Sequence, residues 1–237
     1  MILHSKVAGE GVPIIFLHTG LQTGETDFVY QREHFKDSFC IVLPDLRAHG
    51  KSQVGQIDIH TYFEDTAGDL AKTMDHLNIE KAHIVGCSLG ALVGLLFAKR
   101  FPARVHSLTL SGIVPVKPDN WPELVEKDTV QQMALLENKE VIHYFNSVHA
   151  SNWQDFLRQS MNEDWYPFDE TGDLSTLECP TLFIVGEGQS HEVDGASIYP
   201  RQNDKIHVAV VPFAGHLVHI EQPDIYTTIL DLFIRGL

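Results

Sequence analysis

Gly86-Cys87-Ser88-Leu89-Gly90 stands between an apolar run, Ala82-His83-Ile84-Val85, and a helical-looking run that begins at Leu89. A Gly-x-Ser-x-Gly joining a strand to a helix makes a sharp, strained elbow that lifts a serine hydroxyl out of a sheet. Glycines on both flanks fit a turn in which a Cβ would clash. The same turn aims the backbone N–H of Leu89 at the place where a substrate oxyanion would form. Ser88 is therefore the candidate nucleophile and Leu89 a candidate oxyanion donor.

Working outward, Pro13–Leu17 and Phe39–Leu43 are continuous apolar runs, the pattern of strands buried on both faces. From Thr61 to Leu77 the apolar residues Phe63, Ala67, Leu70, Ala71, Met74 and Leu77 recur at steps that mostly suit one face of an amphipathic helix. The spacing predicts a strand at Ala82–Val85, a helix from the elbow to Phe101 and a strand at Val105–Leu110. After a gap, a strand is expected at Thr181–Val185, a helix at Gly195–Arg201, a strand at His207–Val211 and a helix from Pro223 to Ile234. Strands alternating with helices indicate a mostly parallel sheet with helices on both faces. The alternation lapses over 114–173, which holds all three tryptophans, Trp121, Trp153 and Trp165. The expected organisation is an α/β core, 1–113 and 174–237, with a helical lid at 114–173 whose aromatics form a small core and lend a pocket wall.

A serine hydroxyl needs a base. Among 14 histidines, His216 is the candidate, because Gly215-His216 follows the last predicted strand and so projects from the same sheet edge as the elbow. His219 is expected to pack or hydrogen-bond, and His18 and His49 to hold neighbouring loops. The loop His18-Thr19-Gly20-Leu21 is the natural source of a second oxyanion donor, with the N–H of Gly20 preferred and Thr19 or Leu21 as alternatives. The loop after Thr181–Val185 should supply an acid to orient the histidine. It reads Gly186-Glu187-Gly188-Gln189-Ser190-His191-Glu192-Val193-Asp194 and offers three carboxylates, among which the spacing does not choose.

These motifs resemble the α/β-hydrolase superfamily, in its group of small serine hydrolases with a helical lid. The likeness spans nearly the whole chain and includes the Asp45–Ser52 loop, the Ser88 elbow, Gly186-Glu187, and Gly215-His216 with Glu221 and Pro223. It implies the α/β-hydrolase fold and acyl-enzyme hydrolysis of a small carboxylic ester, thioester or lactone, with no cofactor and no metal. Carbon–carbon hydrolases and cofactor-free peroxidase-like relatives share such a serine. The chain departs from the family at Thr19 and Ala48, where glycine is usual, and at Gln189, where the family pattern puts the triad aspartate. Glu187 is then preferred as the acid because it directly follows the strand, Asp194 is the alternative, and an incomplete triad is the third reading. That last reading supports a rival, a ligand-binding or signalling protein with little turnover.

The formal net charge of −15, from 32 acidic and 17 basic residues, argues against nucleic acid and anionic membranes as partners and leaves a small-molecule acyl substrate. No apolar run approaches the roughly 20 residues of a membrane span, and the first residues lack a signal peptide's apolar segment. The three cysteines are expected to be free thiols in a reducing compartment, which points to the cytoplasm. Composition sets neither the acyl group nor the oligomeric state.

Overall fold

A computed structural model describes residues 1–237. Seven strands form one sheet: β1 (Ser5–Ala8), β2 (Pro13–Leu17), β3 (Cys40–Pro44), β4 (Ala82–Cys87), β5 (Val105–Ser111), β6 (Thr181–Gly186) and β7 (Ile206–Val211). Their spatial order is β1-β3-β2-β4-β5-β6-β7, and every pair is parallel except β1 with β3. Each expected strand is present, with no end moved by more than two residues. The edge strand β1 was not expected. It is four residues long, mostly exposed and without an apolar run, so nothing in its composition marks it.

Helices cover both faces: α1 (Val29–Phe35), α2 (Tyr62–His76), α3 (Leu89–Arg100), α4 (Trp121–Glu137), α5 (Lys139–Val148), α6 (Trp153–Gln159), α7 (Phe168–Thr171), α8 (Ser190–Val193), α9 (Gly195–Gln202), α10 (Val218–Glu221) and α11 (Pro223–Arg235). The continuous apolar runs are explained by the period of two along a strand, which sends neighbours to opposite faces. Ile15, Leu17, Val42, Ile84, Leu108, Phe183 and Val185 join the core under α2, α3 and α9. Ile14, Phe16, Ile41, Leu43, Val85, Leu182 and Ile184 join the other core, under α1 and α11. Helix α3, beside the central strands, is apolar nearly all round, and Leu89 to Ala98 are all buried.

Parallel strands bring all their carboxyl ends to one edge, where the loops after β2 to β7 gather. The Asp45–Ser52 loop organises part of that edge. Asp45 accepts hydrogen bonds from the N–H groups of Gly24 (3.0 Å) and Lys51 (2.9 Å), and a Cβ at Gly50 would lie 2.3 Å from its carboxylate. Ala48 holds φ at 65°. A left-handed alanine costs on the order of 1 kcal/mol, which the buried loop evidently tolerates. Residues 114–173, between β5 and β6, contain α4 to α7 and no strand. No helix of the chain is long and apolar enough to cross a membrane.

Candidate active site

Ser88 has φ 53° and ψ −119°, a conformation that costs a non-glycine residue about 1–3 kcal/mol and persists only where its surroundings enforce it. The enforcement is visible. The Ser88 N–H donates to the carbonyl of Ser111 at the end of β5 (2.8 Å), and the Ser88 carbonyl accepts from Leu92 in α3 (3.1 Å). A Cβ at Gly86 would lie 2.4 Å from the Gly90 carbonyl oxygen, and one at Gly90 only 2.0 Å from that of Leu17. Both flanking glycines are thus required, and the second lets α3 press against the end of β2. That contact sets the His18–Leu21 loop beside the elbow. Leu89 is the first residue of α3, so its N–H has no acceptor within the helix.

The loop after β2 makes a turn in which the Gln22 N–H donates to the Thr19 carbonyl (3.2 Å), with Leu21 at φ 61°. The left-handed position falls on Leu21, while Gly20 is exposed and a Cβ there would meet nothing within 4 Å. Glycine at 20 therefore leaves open room rather than relieving a tight backbone. The Thr19 N–H is taken by Asp27 Oδ2 (2.8 Å). That leaves Gly20 and Leu21 as the loop's unengaged donors, with Gly20 the preferred one. The Cβ that Thr19 adds to the family pattern is accommodated because its hydroxyl also donates to Asp27 (3.0 Å).

His216 follows β7, and its main chain lies against the elbow: the Cys87 thiol donates to its carbonyl (3.8 Å). Gly112, just past β5 at φ 67°, fits between the His216 ring and the Ser88 main chain. A Cβ there would come 2.9 Å from His216 Cε1 and 3.1 Å from the Ser88 nitrogen. Nothing in the sequence around Gly112 marks it out. Its significance is the space it leaves.

The acid expected at Glu187, or else at Asp194, is not what meets the histidine. His216 Nδ1 lies 2.6 Å from Oε1 of Glu192, which is buried. Glu187 extends the ladder from β6, its N–H donating to the Val211 carbonyl (3.0 Å), and its exposed side chain accepts from the Phe213 N–H (2.8 Å). After it the chain turns, and the single helical turn of α8 carries Glu192 back over the sheet edge. Glu192 is three residues beyond Gln189 and hence on the same helical face, whereas Asp194, two residues further, points elsewhere and is exposed. That i, i+3 spacing was the one signal in the sequence that favoured Glu192, and it needed a helix at 190–193 to be meaningful.

Burial alone would lower the pKa of His216. The hydrogen bond and charge of Glu192, with the charges of Asp128 and Glu221, outweigh it and raise the ring above the ordinary histidine value. The other histidines serve the loops. The His18 ring accepts the Leu46 N–H at Nε2 (2.9 Å) and donates to the Thr19 carbonyl (2.8 Å), and His219 pairs with Asp27 (2.8 Å). His49 donates to the Arg47 carbonyl (3.0 Å). Trp165 packs on Phe63 of α2 (ring centroids 6.2 Å apart) and on Tyr166 (5.5 Å), which ties residues 114–173 to α2.

The family model for the alpha/beta hydrolase fold matches residues 12–191. The chain is 25% identical to 3-oxoadipate enol-lactonase 1 of Acinetobacter baylyi, over 96% of this chain and 91% of that one. It is 26% identical to the human serine hydrolase BPHL, over 98% and 83%. Among solved structures, that of NosK from Streptomyces actuosus superposes with a TM-score of 0.80 at 24% identity, covering 96% of this chain and 99% of that one. With the elbow, sheet order and matched segment all in agreement, the chain belongs to the α/β hydrolase fold family.

Proposed function

We propose that the chain is a serine hydrolase of small carboxylic esters, thioesters or lactones, acting through an acyl-enzyme intermediate. The observation that carries this reading is the His216–Glu192 hydrogen bond beside the strained Ser88 elbow. With its Nδ1–H donated to Glu192, the imidazole presents a lone pair at Nε2, the tautomer a general base needs. It takes the proton as Ser88 Oγ attacks the carbonyl, and Glu192 stabilises the imidazolium that results. The N–H groups of Leu89 and Gly20 receive the oxyanion. His216 then gives the proton to the leaving alcohol, thiol or ring oxygen, and the same base activates water to release the acid. An enol-lactonase and a serine hydrolase among the relatives, each aligned over most of both chains, support this chemistry.

The rival reading as a binding protein rested on the neutral Gln189. A carboxylate at Nδ1 of His216 takes away that support. The two are separated by a fluorophosphonate probe and p-nitrophenyl acetate together. Stoichiometric labelling of Ser88 with turnover of the ester is expected. Labelling without turnover favours the binding protein, and neither response overturns the hydrolase reading.

Residues 114–173 are proposed as a lid over this edge. Asp128 of α4 bears on the site through its charge, one of those that raise His216. A base must be neutral to act, so kcat/KM should fall with decreasing pH through a midpoint above 6.5, the ordinary histidine value. Asp128→Asn should move that acid limb to lower pH while leaving the plateau rate within a factor of about three. An unmoved limb in the Asn variant would mean that α4 does not face the histidine.

A further inference from the structure

Asp27 is a buried ionised carboxylate with no part in the proton path, yet it touches both halves of the site. Its Oδ2 accepts the Thr19 N–H (2.8 Å) and the Thr19 hydroxyl (3.0 Å). Its Oδ1 accepts the Phe28 N–H (2.9 Å) and pairs with Nε2 of His219 (2.8 Å). Four donors fill the capacity of one carboxylate. Asp27 is 2% exposed and His219 1%. Burial works against the charge, but the bond and charge of His219 and the backbone N–H groups of Thr19 and Phe28 hold its pKa down to about 2. His219 is itself fixed, stacked on Phe28 (4.2 Å) and accepting at its carbonyl from Gln31 (2.9 Å). It lies three residues beyond His216.

We propose that Asp27 is the positioning residue of the oxyanion loop: it pins Thr19 so that the next N–H, that of Gly20, faces the Ser88 elbow, and through His219 it ties that loop to the segment carrying His216. This inference rests on the hydrolase reading above. The bond to Asp27 takes the Thr19 N–H out of contention and leaves the next one, that of Gly20, free to receive an oxyanion. The far end of the same turn is gripped independently. His149, at the end of α5, accepts the Gly50 N–H at Nδ1 (2.9 Å), which puts its proton on Nε2 and makes it the donor to the Leu21 carbonyl (3.1 Å). The turn is held at Thr19 from beneath and at Leu21 from the inserted helices, while Gly20 between them is exposed and engaged by nothing. The hydroxyl that distinguishes Thr19 from the family glycine adds a second bond to the same carboxylate.

The test compares Asp27→Ala, and Asp27→Asn as the variant more certain to fold, with the parent. The measurements are p-nitrophenyl ester kinetics, thermal unfolding, fluorophosphonate labelling stoichiometry and inhibition by a trifluoromethyl ketone, whose tetrahedral adduct carries an oxyanion. Loss of one oxyanion donor costs about 10²–10³ in kcat, and a mispositioned one less. Asp27→Ala should lower kcat roughly 30-fold with KM within about threefold, and weaken the ketone by a similar factor. Asp27→Asn, which keeps an acceptor for Thr19, should lose less in both measures. Labelling should stay stoichiometric. If kcat and ketone affinity in the folded variants stay within twofold of the parent while only the melting temperature falls, Asp27 is structural and the proposal is overturned. An equal loss of ground-state binding and of ketone affinity overturns it too. A parent that neither labels nor turns over ester fails at the earlier step, and takes the hydrolase reading down with it.

Discussion

Ser88→Ala is expected to lower kcat toward p-nitrophenyl acetate by roughly four to six orders of magnitude and to abolish fluorophosphonate labelling, with the fold intact. The size follows from the cooperation of the triad, in which loss of the nucleophile costs about as much as loss of the whole set. The fold should survive because the elbow is held by its neighbours: the bond from the Ser88 N–H to Ser111 and the bond from Leu92 to the Ser88 carbonyl use main-chain atoms that alanine retains. Alanine also inherits the strained φ of 53°, so the conformational cost is unchanged. Glycine at 88 should be equally inactive but more stable, because it adopts that φ freely. Kinetics and thermal unfolding of the two variants together check both halves of the claim. Activity within tenfold of the parent in a stable Ala variant would place the nucleophile elsewhere.

Glu192→Gln should be the next most damaging change, lowering kcat about 10²- to 10⁴-fold. An amide that turns its NH₂ toward Nδ1 would force the imidazole proton onto Nε2, the tautomer that cannot accept from serine. An amide that offers its oxygen would keep the tautomer but leave the imidazolium without its counter-charge. Either way, the influence that raises His216 most is gone, so any residual activity should show its acid limb displaced to lower pH. Glu187→Gln keeps an acceptor for the Phe213 N–H and should stay within about threefold of the parent, as should Asp194→Asn at its exposed position. Steady-state kinetics across pH for the three variants decides the matter. A larger loss at Glu187 or Asp194 than at Glu192 would mean that the 186–194 loop takes another course in the working enzyme.

The sequence expectation for the acid failed for a definable reason. Glu187 looked right because it comes just past an apolar run, but a side chain there follows the strand's alternation, and this one turns to the surface beside Phe213. Whether a later carboxylate returns to the histidine depends on the path of six residues. In this chain that path contains the single turn α8, too short to announce itself by periodicity. Trp165 shows the same limit: aromatic density singled out the segment 114–173, yet which ring faces a pocket and which faces Phe63 is a matter of packing. Asp27 is the opposite case. Nothing near it in the chain suggests a role, because its partner His219 lies 192 residues away.

Local chemistry is what a linear chain writes plainly. Continuous apolar runs mean strands buried on both faces, alternation with amphipathic segments means a parallel sheet, and two glycines around a serine mean an elbow. Each of these follows from contacts or backbone limits within a few residues, so the fold was legible without further help, and Ser88 and His216 could be named as candidates. Tertiary structure decided what depends on direction and distance between segments: the buried carboxylate that reaches His216, the gap that Gly112 leaves between His216 and the Ser88 elbow, and the carboxylate that holds the Thr19 turn. Those groups come from different strand ends, and their meeting is set by how the sheet and its helices pack.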